Sequence, residues 1–91
     1  MVHVECEVHP GPGKIADSVG VRDLSGERTF LEIQRDFVAQ YQGKHYLPIG
    51  VVYRDKDKGV ALIEFPVEAD SGAHRIWVPL SSLLEINRAS P

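Results

Sequence analysis

Val60-Ala61-Leu62-Ile63-Glu64-Phe65-Pro66-Val67, read together with Leu47-Pro48-Ile49-Gly50-Val51-Val52-Tyr53 before it, decides the fold. Both runs are rich in β-branched and aromatic residues, which suit a pleated, half-buried surface. Between them lies Arg54-Asp55-Lys56-Asp57-Lys58-Gly59, charged and closed by glycine, the chemistry of a tight solvated turn. A strand from Leu47 to Tyr53, a turn and a strand from Val60 to Val67 therefore form a hairpin. Glu68-Ala69-Asp70-Ser71-Gly72 reads as a second, acidic turn, and Arg75-Ile76-Trp77-Val78 as a short strand. Pro79-Leu80-Ser81-Ser82-Leu83-Leu84-Glu85 then reads as one helical turn folding a leucine back onto the core.

The first half repeats the pattern. Val2, Val4, Cys6 and Val8 alternate with His3, Glu5, Glu7 and His9, a period of two that marks a half-buried strand. Pro10-Gly11-Pro12-Gly13 ends it, since proline cannot donate to a ladder. Val19 to Arg22 and Arg28 to Gln34 flank a turn at Leu24-Ser25-Gly26-Glu27 and make a second hairpin, with Leu31 and Ile33 on one face and Phe30 on the other. Arg35 to Gly43 reads as a loop with a turn of helix, anchored by Phe37. Short strands at close spacing without an amphipathic helix predict an all-β barrel or sandwich.

The closing order narrows this. A charged hairpin, a short strand with an outward aromatic, then Trp77-Val78-Pro79-Leu80-Ser81-Ser82-Leu83-Leu84-Glu85 resembles the ending of SH3-like barrels. The resemblance runs from Leu47 to Glu85 and is one of fold. It implies a small SH3-like barrel of five to six antiparallel strands with a short helical turn near the C-terminus. One domain over residues 1–86 and a frayed tail at 87–91 are expected. No Ala-Leu-Tyr-Asp-Tyr-like stretch occurs, so binding of proline-rich peptides is not implied.

Length and composition agree with a single domain: 91 residues, 43% hydrophobic and 25% charged, leave no room for a second core. One cysteine makes neither an internal disulfide nor a thiolate zinc site, which fits a reducing cytoplasm. No apolar run approaches about 20 residues, and Met1-Val2-His3-Val4-Glu5 is unlike a signal peptide, so no membrane contact is expected. Ten bases against 13 acids give a formal charge of −3 and no basic cluster, which argues against nucleic acid. An RNA- or ribosome-associated barrel stands as the alternative, and it requires Arg22, Arg28, Arg35 and Arg54 to gather in one stripe beside an aromatic.

Motifs for chemistry fail on their own terms. Gly11-Pro12-Gly13-Lys14 lacks the spacing and the Ser or Thr of a phosphate loop, and its prolines remove N–H donors. Asp55-Lys56-Asp57-Lys58-Gly59 lacks the late glutamate of a calcium loop and carries two lysines. His3 and His9 share a strand face but stand roughly 20 Å apart at ~3.3 Å per residue, and His45 and His74 have no required partner. Cys6 lies on the apolar face between Glu5 and Glu7, where burial and charge raise a thiol pKa. Glu5 and Glu7 read as a solvated face rather than a carboxylate pair at work. No catalytic residue, cofactor or metal ligand is expected, and the chain reads as a non-enzyme. A small oligomeric enzyme with a shared pore is a further alternative. His74-Arg75-Ile76-Trp77 is loosely similar to the Val-Gln-Ile-Tyr pore stretch of the plasmid-borne type of dihydrofolate reductase, with only Ile76 identical.

What the strands do show is a surplus of apolar residues on faces that should be wet. With Ala61, Ile63, Phe65 and Val67 inward, Leu62 points out; with Ile76 and Val78 inward, Trp77 points out beside Arg75. Phe30 and Tyr53 complete the set. Either the chain covers them itself, through Arg35–Gly43 or the first strand, or they form an interaction surface. Glu64, Glu68 and Asp70 add an acidic margin suited to a basic partner. The candidate partner-binding residues are Phe30, Tyr53, Leu62, Trp77, Arg75, Glu68 and Asp70. They point to a non-catalytic module that binds a protein, or itself as a homodimer.

Overall fold

The computed structural model describes residues 1–13 and 15–86. Lys14 and the tail expected to fray, 87–91, lie outside the described residues. The described chain holds nine strands: β1 (Val2–Pro10), β2 (Ala16–Arg22), β3 (Arg28–Gln34), β4 (Ala39–Tyr41), β5 (Lys44–Pro48), β6 (Gly50–Asp55), β7 (Val60–Glu64), β8 (Arg75–Pro79) and β9 (Leu83–Glu85). Two 3-10 turns, Arg35–Phe37 and Leu80–Ser82, are the only helical elements among the described residues. The class is all-β, and every pairing is antiparallel.

The strands form two sheets. One runs β3-β2-β1-β5-β4, with β9 also paired to β1; the other runs β6-β7-β8. The sheets share a core of inward side chains, among which Val4, Val19, Val21, Leu31, Leu47, Ile63 and Val78 are wholly buried. Each contributes about 1.5–3 kcal/mol through apolar surface removed from water. Backbone bonds tie the layers at their margins. The N–H of Asp70, between β7 and β8, reaches the Phe30 carbonyl of β3 at 2.8 Å, and the Leu24 N–H reaches the Trp77 carbonyl of β8 at 3.0 Å. The strand pairing of the described residues makes two sheets and does not close into a ring.

Nine strands replace the five to six expected, for local reasons. The run Leu47–Tyr53 is two strands: β5 pairs with β1 as far as Pro48, and Ile49, whose N–H still reaches the Val2 carbonyl at 3.1 Å, separates it from β6, which pairs with β7 in the other sheet. Arg35–Gly43 is more than a loop: after its 3-10 turn, β4 forms a hairpin with β5. Its two-residue turn, Gln42 at φ +50° and Gly43 at φ +80°, has the left-handed geometry that matches strand twist. The closing segment keeps its short helical turn, but Leu83–Glu85 is a strand against β1. The strand from Val60 ends at Glu64, before Pro66, which leaves Val67 45% exposed rather than in the core.

Candidate partner-binding face

The face begins with register. On β7, Ala61 and Ile63 are buried, so Val60, Leu62 and Glu64 point outward. Trp77 of β8 lies directly opposite Leu62, Pro79 opposite Val60 and Arg75 opposite Glu64. On the other side, β6 places Tyr53 opposite Leu62 and Asp55 opposite Val60. A bulge between Val51 and Tyr53 makes this possible. Strict alternation would put Val51 and Tyr53 on one face; the extra residue, Val52, turns Tyr53 outward while Val51 stays opposite Ile63.

Tyr53, Leu62 and Trp77 therefore form one cross-strand row on the outer face. The Tyr53 and Trp77 rings lean together across β7, with centroids 6.0 Å apart and planes at 77°, the edge-to-face arrangement that aromatic quadrupoles favour. Tyr53 is 54% exposed and Trp77 41%. One flank of the row is the Gly50–Glu64–Arg75 row, where Arg75 Nε donates to Glu64 Oε1 at 3.1 Å. The other flank is Asp55, Val60 and Pro79. An apolar centre with charged and polar margins results.

The remaining candidates lie elsewhere. Phe30 is on the outer face of the β1-β2-β3 portion, stacked over Gly20, where a Cβ would come within 3.1 Å of its Cε1. Its ring is 6.2 Å from that of His9. Glu68 and Asp70 belong to the segment joining β7 to β8. Glu68 Oε2 is 3.5 Å from His74 Nε2, and Asp70 is tied through its N–H to Phe30. The structure thus brings Tyr53, Leu62, Trp77 and Arg75 together and sets Phe30, Glu68 and Asp70 apart from them. His74 and Arg75 of the pore-like stretch are each engaged with a carboxylate.

Three of the four arginines are engaged with carboxylates, in two separate places. Arg22 and Arg28 both approach Glu7, at 3.6 and 3.1 Å, while Arg35 grips Asp17 on another face. Asp17 has no forerunner in the sequence pattern. It lies on the inward side of β2, opposite Ile33, and is 4% exposed. Arg35 donates to both its oxygens, Nε to Oδ2 at 3.0 Å and a terminal nitrogen to Oδ1 at 2.7 Å, and the Gly11 N–H adds a bond at 3.3 Å. The Arg35 hydrogen bonds hold the carboxyl below its usual range against the opposing effect of burial. A folded pKa below the unfolded one stabilises the fold above the unfolded value and is lost as pH falls through the folded value. Thermal melts should show Asp17→Asn less stable than the parent at neutral pH. The gap should close as pH drops below about 4, the unfolded carboxylate range. A gap unchanged by pH would mean that the Asp17 charge contributes nothing.

Cys6 is buried on β1, and burial first, then Glu5 and Glu7, pushes its thiol up to about 12. It is protonated at neutral pH and unsuited to attack. His3 alternates with the valines of β1 yet is buried: flanked by Pro48 and Leu84 in neighbouring strands, it is only 7% exposed, with Nδ1 3.2 Å from the Met1 carbonyl. Among the described residues, no three His, Cys, Asp or Glu side chains are placed to hold a metal ion. No helix among them is long and apolar enough to cross a membrane.

A concavity lies beside the row and meets its flank at Gly50 and Glu64. A groove of about 1140 Å³ is bounded by Asp36 to Tyr41 and by Ile49, Phe65 and Pro66. Phe37 and Tyr41 in a glycine-ended polar segment were its only trace in the sequence. Comparison with known proteins returned no match: no family model fits the chain, and no curated protein or solved structure is significantly similar to it.

Proposed function

We propose that this chain is a non-catalytic interaction module whose Tyr53–Leu62–Trp77 row docks onto a protein surface, that of another protein or of a second copy. The observation that carries this reading is the in-register aromatic–leucine–aromatic row on a solvent-facing sheet. Tyr and Trp bury large area while ordering few torsions, which makes them frequent anchors of binding energy. A stable interface removes about 800 Å² from each partner, more than these three partly exposed side chains can offer. The row is thus the apolar centre of a larger footprint that takes in the Glu64–Arg75 pair.

An SH3-like barrel is the architecture proposed for the module. Its support is the succession of the charged β6–β7 hairpin, short β8 with Trp77, Pro79, the Leu80–Ser82 turn, and a last strand paired to the first. Three of the four arginines an RNA-binding stripe would need are engaged with Glu7 or Asp17, which favours a protein partner over nucleic acid.

Trp77 is the single tryptophan, so its fluorescence reports on this face alone. In dilute native protein, acrylamide should quench its emission at a substantial fraction of the rate seen in urea, and docking should slow that quenching. Full shielding of Trp77 in the isolated monomer would show the face covered by its own chain and remove the basis of the proposal.

A further inference from the structure

The last strand of the first sheet, β4, is a short edge without charge, proline or bulge. Exposed edges are commonly protected by shortness, charge, proline, bulges or covering loops. Elsewhere such devices are present: the Phe30 carbonyl of β3 is taken by Asp70, the Trp77 carbonyl of β8 by Leu24, and β8 ends in Pro79. The Ala39-Gln40-Tyr41 strand is short but carries no charge, proline or bulge, and among the described residues it pairs with β5 alone.

The turn fixes which of its groups are free. In a two-residue hairpin of this hand, the flanking pair Tyr41–Lys44 exchanges both ladder bonds, and the next pair, Gln40–His45, exchanges none. The N–H and C=O of Gln40 therefore point away from β5. Gln40 also belongs to the wall of the 1140 Å³ groove. Two aromatics of that wall, Phe37 and Tyr41, are each 47% exposed. Its acidic members are Asp36 and Glu64, the latter already paired with Arg75, and no Lys or Arg is among its described lining residues. The amino group of Met1, also in the wall, is 3.8 Å from Glu85.

We infer that β4 receives an extended segment of a partner protein as an added strand, bonded at Gln40, with an apolar side chain against Phe37 and Tyr41 and a Lys or Arg reaching Asp36. Main-chain bonds supply the attachment and the groove supplies the selection, as in other recognition by strand addition. The surface meets the Tyr53–Leu62–Trp77 face only at Gly50 and Glu64, and it stands whether or not that face binds anything.

The probe is a blocked heptapeptide, acetyl-Thr-Val-Lys-Val-Lys-Val-Thr-amide, titrated into the ¹⁵N-labelled chain beside a counterpart with Glu for Lys. The Lys peptide should shift the Gln40 amide and slow its hydrogen exchange at least tenfold at saturation, with the Glu peptide binding at least tenfold more weakly. Gln40→Pro deletes one outward N–H that the β4–β5 ladder does not use. It should melt like the parent and bind about fivefold more weakly, the worth of one hydrogen bond. Asp36→Asn should weaken binding about threefold and narrow the gap between the two peptides. An unmoved Gln40 amide at millimolar Lys peptide overturns the inference. So do shifts confined to Leu62 and Trp77, equal binding of the two peptides, or a Gln40 shift that grows with protein concentration alone, which would identify a second copy as the occupant.

Discussion

Leu47→Ala should lower stability by about 3 kcal/mol, within the 2–5 kcal/mol typical of deleting a fully buried leucine side chain. Leu47 is wholly buried at the point where β5 faces Val4 of β1, and β1 is the strand that also holds β2 and β9. A cavity there loosens two pairings at once, since Val4 also faces Leu83 of β9. A domain of 91 residues has a total stability of about 5–14 kcal/mol, so the loss is a large fraction of the whole. In a thermal melt it should appear as a fall of roughly 12–24 °C. Val52→Ala, at the bulge and 43% exposed, is the control and should change stability by no more than about 0.5 kcal/mol. A Leu47→Ala loss below about 1 kcal/mol would mean that the core is not organised around β1 and β5.

The contrast between buried and wet positions marks what sequence could and could not tell. Alternation from Val60 to Glu64 and from Arg75 to Val78 placed Leu62 and Trp77 outward, because a period of two needs only one known face to fix the other. The Val2–Val8 strand was legible for the same reason. Tyr53 faces outward through the bulge at Val52, and nothing in Val51-Val52-Tyr53 announces an extra residue in the ladder. Three-residue strands such as β4 and β9 are too short to show a period, so their segments read as loop and helical turn.

Non-local facts were harder still. Phe30 shares an outward disposition with Trp77, yet the two belong to different sheets, and sheet membership follows from pairings distant in sequence. His3 alternates with valines as a solvated residue should, but β5 and β9 bring Pro48 and Leu84 to either side of it. Asp17 sits inward because Arg35, 18 positions on, satisfies both its oxygens. Buried carboxylates survive only when so paired, and the pair is invisible until β2 and β3 are placed together.

Binding should respond to the outward row far more than folding does. Trp77→Ala removes the larger aromatic anchor, and Leu62→Lys replaces the central apolar contact with a charge that Glu64, two residues along on the same face, can accept. Neither side chain is among the buried core, so both variants should melt cooperatively and within several degrees of the parent. Anchors of this kind are worth about 2 kcal/mol or more in binding, so each variant should weaken the complex at least about thirtyfold. Weakening through the row, with the fold intact, separates a recognition surface from a structural one.

A photo-reactive residue at position 53, introduced into the chain in its native cell, reads that complex out most directly. The proposed docking predicts a covalent adduct with another polypeptide or with a second copy, lost when Leu62→Lys is added. No adduct from position 53, or one that Leu62→Lys leaves undiminished, would contradict it.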